Sequence, residues 1–149
     1  MVKRKIMPPT YFYLGIVLII LMHFIFPLIQ LIRYPYTLIG ILFIIFGTTL
    51  NIFSWLLFIK NKTTQNPFKK PDKLIMQGVY KISRNPMYLG MLLGLIGLCI
   101  LLGSLITFIF PIIFFIILEK LFIPIEEESM KRTFGNYYIK YKNKVRRWI

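Results

Sequence analysis

Acid is scarce in this chain, and what there is sits close together. Of five carboxylate side chains, Glu119, Glu126, Glu127 and Glu128 fall within ten positions of one another, the fifth is Asp72, and none precedes it. A carboxylate placed deep in hydrocarbon costs up to about 3 kcal/mol, and less at an interface, so such a cluster beside an apolar run implies a polar cavity or cationic partners. The plainer alternative is a solvated helix end whose glutamates pair with Lys131 and Arg132. A second group of polar residues, Ser83, Arg84 and Asn85, runs directly into Pro86 and an apolar stretch. Proline lacks a backbone donor and suits the first turn of a helix, and an asparagine just before it can cap that helix. One cysteine, Cys99, excludes an intramolecular disulfide, and one histidine, His23, leaves no histidine-based metal site.

These groups need elements to hold them, and the composition says which solvent those elements meet. Hydrophobic residues make up 57% of the 149 positions and aromatics 17%, with a mean hydropathy of +0.69. An ordinary soluble domain is excluded. The net charge of +14 would by itself suggest a nucleic-acid partner. The basic residues are instead separated by long apolar runs, so no nucleic acid is expected and a membrane protein with a basic face fits better.

Four apolar runs are long enough to be read as helices. The first covers 11–32 and the second 36–59, with only Arg33, Tyr34 and Pro35 between them to turn the chain. At 1.5 Å per residue each covers the roughly 30 Å of hydrocarbon in a bilayer. Lys3, Arg4 and Lys5 resemble the start of a secretory signal, but the run after them is too long and the chain has no alanine for a usual cleavage site, so a retained helix is expected. A polar stretch with Pro67 and Pro71 follows, then a helix over 86–102, a turn at Gly103 and Ser104, and a helix over 105–124. Residues 125–149 carry Met130, Phe134, Tyr138, Tyr141, Val145 and Trp148 three or four apart with basic residues between them. That pattern predicts one amphipathic helix lying on the membrane surface despite Gly135.

The expected fold is therefore all-α. Four transmembrane helices form two hairpins and a C-terminal interfacial helix follows, within a single domain divided as 1–59, 60–85, 86–124 and 125–149. Eighteen of the nineteen basic residues lie in the termini and the middle loop, and only Arg33 lies in a short turn. By the positive-inside rule both termini and the middle loop face the cytoplasm, where anionic lipid headgroups would meet them and where the sequon at Asn61 stays idle.

The segment from Gly78 through Tyr80, Ser83, Arg84, Asn85, Pro86, Met87 and Tyr88 to Gly90, followed by Glu126, Glu127, Phe134, Gly135, Tyr138, Tyr141, Val145, Arg146 and Arg147, resembles the isoprenylcysteine carboxyl methyltransferase and phospholipid methyltransferase superfamily. The resemblance covers about half the chain, with both blocks in the family's order. It implies an integral-membrane methyltransferase that uses S-adenosylmethionine in a cytosol-facing pocket and acts on a lipid or small lipophilic acceptor. On that resemblance Arg84 would hold the cofactor's carboxylate or, failing that, a phospholipid phosphate. Asn85 would bind the cofactor or cap the helix, and Tyr80 and Tyr88 would face adenine and sulfonium or belong to the interfacial aromatic belt. Glu126 and Glu127 would take a ribose hydroxyl or the ammonium, with Glu127 the candidate base for an amine acceptor. Pro86 and Gly90 belong to the same cofactor-binding segment, although the glycines Gly90, Gly94 and Gly97 equally suit close helix packing. Arg84 is followed by Asn85 where isoprenylcysteine enzymes usually carry histidine, a form closer to phospholipid N-methyltransferases. Two other readings compete with this one: a membrane reductase of the steroid-reductase type using a nicotinamide cofactor, and a four-helix transporter or lipid-interaction module. The first three helices contain no carboxylate of the kind a proton-coupled exporter needs.

Overall fold

The computed structural model describes residues 6–26 and 29–149, and among these every regular element is helical. Helix α1 spans Pro8–Ile25 and α2 spans Ile39–Asn61, the latter preceded by a 3-10 turn at Tyr36–Leu38. A 3-10 turn at Gly78–Lys81 leads to α3, Pro86–Leu102. The last long unit begins with a 3-10 turn at Leu105–Phe108 and runs through α4 (Ile109–Ile117) and a π turn at Leu118–Phe122 into α5 (Ile123–Phe134). After it comes α6, Asn136–Lys144. Three units are long and apolar enough to cross a bilayer, Pro8–Ile25, Tyr36–Asn61 and Leu105–Phe134, while α3 is shorter at 17 residues.

The first helix stops at Ile25 rather than continuing to residue 32. Leu31 and Ile32 donate their backbone N–H groups to the Gly103 carbonyl at 2.8 and 3.1 Å, and the Gln30 amide donates to the Leu102 and Ile32 carbonyls. Backbone polar groups that a helix would have satisfied are thus taken up by the end of α3. The same bonds, with His23 against Ser104 at 2.6 Å, bring the two short turns together at one end of the bundle. The basic residues Lys3, Arg4 and Lys5 lie outside the described residues.

The expected N-terminal hairpin is not a packed pair. Helix α2 lies along α3, and α1 packs chiefly on α3 and α4. Glycines decide this arrangement. A Cβ added at Gly90 would sit 2.6 Å from the Gly47 carbonyl oxygen, and one at Gly97 would sit 2.7 Å from that of Gly40. The two backbones touch, which only glycine permits. On the other flank, α1 presents Gly15 to the side chain of Leu95. Leu95, Ile19, Met91, Phe114 and Leu118 form the centre of a buried cluster drawn from α1, α3 and the last long unit. Lipid tails are as apolar as this cluster, so it holds by close packing rather than by expulsion of water.

The C-terminal segment also departs from expectation. The fourth helical unit does not end at residue 124. Pro124 falls in the first turn of α5, where its missing N–H is tolerated, and the helix continues to Phe134. It breaks at Gly135, whose φ of 52° and ψ of −129° lie outside the helical region. The chain then turns back through α6, so Tyr138 and Tyr141 are buried against the protein instead of facing lipid headgroups.

Candidate functional site

The site lies at the end of the bundle opposite the paired turns, where three stretches distant in sequence converge. The Gly78–Lys81 turn is set by Gly78 at φ +60°, which fits over Leu57 of α2. The chain then delivers Arg84 and Asn85 to the mouth of α3, with Pro86 at its first turn. The second stretch is the acidic part of the last long helix, and the third is α6 with the extended tail after it. The backbone N–H of Arg84 donates to the Arg146 carbonyl at 3.0 Å, and Asn85 Nδ2 donates to the Arg147 carbonyl at 3.0 Å. Ser83 Oγ, which also accepts from the Asn85 backbone N–H, lies 3.4 Å from that carbonyl.

Glu127 organises the charges. Its Oε1 lies 3.1 Å from Arg84 Nη1 and 3.0 Å from Arg147 Nε, and its Oε2 lies 3.0 Å from Lys142 Nζ. Arg147 also reaches Glu119 through Nη1, and Trp148 Nε1 donates to Glu119 Oε2 at 3.0 Å. On a regular α-helix, residues eight positions apart point about 80° apart. The π turn between Glu119 and Glu127 takes up one extra residue and brings them to within about 20°. One guanidinium can therefore clamp both carboxylates.

Glu126 is in a different position. It accepts a hydrogen bond from the Tyr88 hydroxyl and, among the described residues, forms no salt bridge. Beside it opens a narrow cavity of about 50 Å³ walled by Tyr80, Arg84, Glu126, Glu127 and Tyr138. Lobes of about 80 and 60 Å³ share Phe58, Glu126 and Met130 with it, one passing Met87 and Tyr88 and the other passing Gln65 and Pro67. The three openings meet at Glu126. Burial holds the hydroxyls of Tyr80, Tyr138 and Tyr141 above the usual tyrosine range, so all three remain protonated donors near neutrality. Tyr141 uses its proton on the Tyr80 carbonyl at 2.7 Å, and Tyr80 meets the edge of Phe58 with ring centroids 5.9 Å apart.

Arg84 is 8% exposed, and its Nη1 is shared between Glu127 and the Tyr138 hydroxyl at 3.2 Å. Its Nε is buried without a hydrogen-bond partner. A buried donor left unpaired costs about 1–3 kcal/mol, so an acceptor brought to this nitrogen would be stabilising.

Of the residues singled out from sequence, Tyr80, Arg84, Asn85, Tyr88, Glu126 and Glu127 line this connected hollow. Pro86 is buried as the helix start, and Gly90 faces Gly47 and Asn51 in the α2–α3 contact, away from the hollow. Asn85 makes no side-chain cap bond, because its amide holds the tail. Glu128 pairs with Arg132 at an exposed position, as the solvated-end alternative describes. Sequence reasoning gave Glu119 no role and missed Arg147 and Trp148 as its partners. The only available signal was the arginine pair directly before Trp148, and nothing linear points it at Glu119.

The phospholipid methyltransferase family matches residues 35–137. Over 76 residues the chain is 36% identical to protein-S-isoprenylcysteine O-methyltransferase B of Arabidopsis thaliana, covering 49% of this chain and 37% of that protein. It is 38% identical over 63 residues to an uncharacterized protein of Haemophilus influenzae, covering 42% of this chain and all of the relative. Among solved structures it resembles the eukaryotic intramembrane Ras methyltransferase ICMT, with a TM-score of 0.69 and 25% identity, over 95% of this chain and 51% of the other. The chain thus spans about half of one and 37% of the other of the two relatives named as methyltransferases.

Proposed function

The chain belongs to the phospholipid methyltransferase family, and from that premise we propose that it is a membrane methyltransferase taking its methyl group from S-adenosylmethionine and passing it to a lipophilic acceptor drawn from the bilayer. It is a multi-pass integral membrane protein. In this reading all four apolar helices cross, α3 included, since 17 residues is the lower limit for a span. The hollow and both termini face the cytosol, on the strength of the basic residues gathered at that end.

One observation carries the assignment of the site. Two residues that line this hollow lack partners, Arg84 at its buried Nε and Glu126, which has no cation among the described residues. A ligand bearing both a carboxylate and positive charge satisfies both at once. When bound, S-adenosylmethionine supplies an electrophilic methyl group on a sulfonium. Arg84 would hold the ligand's carboxylate through its Nε edge while Glu127 fixes the guanidinium from behind. Glu126 would face the ammonium or the sulfonium, and Tyr80 and Phe58 offer aromatic surfaces to the base. The protein's work is orientation and exclusion of water, with no covalent catalysis.

An amine acceptor must lose a proton, and Glu126 is better suited to take it than Glu127. Three cations hold Glu127 as an acceptor, whereas Glu126 has only the Tyr88 hydroxyl and lines the lobe that passes Met87. Asn85 at the position where a histidine would stand leaves the glutamate as the proton acceptor within reach of the hollow. The family match favours neither the reductase nor the transporter reading.

The test is transfer of label. Membranes containing the chain, given S-adenosylmethionine tritiated in the methyl group, should place tritium in the organic phase of a lipid extract, and membranes carrying Arg84→Gln should not. Equal labelling by the two would remove this hollow from the reaction.

A further inference from the structure

Tyr141, which lines the hollow, also lines a second groove, of about 500 Å³. One wall is the 3-10 turn before α3, which contributes Lys81, and the other is α6, which contributes Lys140 and Lys144 one helical turn apart. The floor between them is apolar, formed by Met76, Val145 and the ring of Tyr141. No carboxylate lines the groove, and among the described residues none of the three lysines forms a salt bridge. Of the chain's five acids, three serve the first site, and Glu128 is paired with Arg132. Three lysines from two elements share one groove without a counter-ion, and an anion seated there would interact favourably with all three.

The surroundings of the groove decide what kind of anion. Lys81 lies five residues before the start of α3, and next to it Ile82 is 67% exposed. Across the groove, Tyr137 on the rim is 58% exposed. Exposed large apolar side chains beside lysines are the composition of the boundary between headgroups and hydrocarbon. We propose that this groove seats the phosphate of an anionic phospholipid, with the three lysines on the headgroup and the apolar floor under the glycerol and upper acyl chain. The site depends on the chain's lying in a bilayer and not on methyl transfer. Because Tyr141 forms both the floor of this groove and a wall of the hollow, a lipid seated here also braces α6 against the mouth of α3.

The experiment uses the full chain, delipidated in a neutral detergent, titrated calorimetrically with dihexanoyl phosphatidylglycerol, dihexanoyl phosphatidylcholine and inorganic phosphate in turn. One saturable site for phosphatidylglycerol is expected, weakened about tenfold or more in the K81Q/K140Q/K144Q variant. The control variant K62Q/K69Q/K70Q removes the same charge elsewhere and should bind within about twofold of the parent. If the groove variant loses its helical circular dichroism, the three single variants take its place, each expected to weaken binding about two- to fivefold. Equal weakening in the two triple variants would reduce the effect to bulk charge and overturn the proposal. So would phosphatidylcholine binding as tightly as phosphatidylglycerol. Inorganic phosphate binding as tightly as the lipid would make this a free-phosphate site instead. None of these readouts involves S-adenosylmethionine, so they stand apart from the test of methyl transfer.

Discussion

In the proposed function two adjacent glutamates with opposite surroundings carry most of the chemistry. Glu127 is tied to Arg84, Lys142 and Arg147, and Glu126 to a tyrosine hydroxyl. Their variants should therefore fail in different ways. Glu127→Gln leaves Arg84 buried beside a neutral amide, at a cost of about 3 kcal/mol, the low end for a buried pair because Lys142 is half exposed. Its expected signature is a lower melting temperature together with at least tenfold weaker S-adenosylmethionine binding. Glu126→Gln should keep the parent's melting temperature, weaken S-adenosylmethionine binding through loss of the ligand's counter-ion, and at saturating cofactor lose about 10²- to 10⁴-fold in turnover with an amine acceptor. Calorimetry and initial rates on the two variants separate these outcomes, and the reverse pattern would exchange the two roles. Adjacent positions in the sequence made the pair visible, and the start of α3 made Arg84 visible. Which glutamate faces a cation could not be read, because the deciding groups, Tyr88, Lys142 and Arg147, arrive from other elements.

At the scale of elements, the tail after Gly135 turns a helix end into a closed wall. The sequence pattern was legible as an amphipathic stripe, but the side that covers it was not. The break depends on a glycine conformation, and the burial of Tyr138 and Tyr141 depends on the tail folding back to bond Arg84 and Asn85. That the apolar runs form helices was readable because length and hydropathy are local properties, but their ends were not, since α1 stops at Ile25 and the last long unit runs on to Phe134. The pairing of α2 with α3 was not, since it required Gly40 and Gly47 to meet Gly97 and Gly90 across the bundle. Gly135→Ala isolates the break. Nothing lies within 4 Å of an added Cβ, so the cost is backbone strain at φ +52°, about 1–3 kcal/mol. The expected result is a lower melting temperature with faster proteolysis after Phe134, while the bundle from α1 to α4 keeps its protection. Unchanged stability and cleavage would mean that the tail is held without this turn.

Across the whole molecule, charge is sorted by end. Two connections bonded to each other close one end of the bundle, and at the other a hollow is lined by Glu126, Glu127 and Arg84. This division follows from lipid as solvent, which leaves polar groups stable only where they meet water or each other. Both connections carry little charge, which the sequence shows, whereas the first is longer than residues 33–35 because α1 stops at Ile25, and its union with Gly103 through Leu31 and Ile32 is a tertiary result. The central claim is that the polar end holds a ligand with one carboxylate and net positive charge. The most direct measurement is calorimetric titration of the detergent-solubilised chain with S-adenosylmethionine and, separately, NADPH, repeated on Arg84→Gln. Saturable binding of S-adenosylmethionine, abolished or weakened at least tenfold by the substitution, with no binding of NADPH, is the expected result. Binding of NADPH without S-adenosylmethionine, or affinity for S-adenosylmethionine indifferent to Arg84, would contradict it.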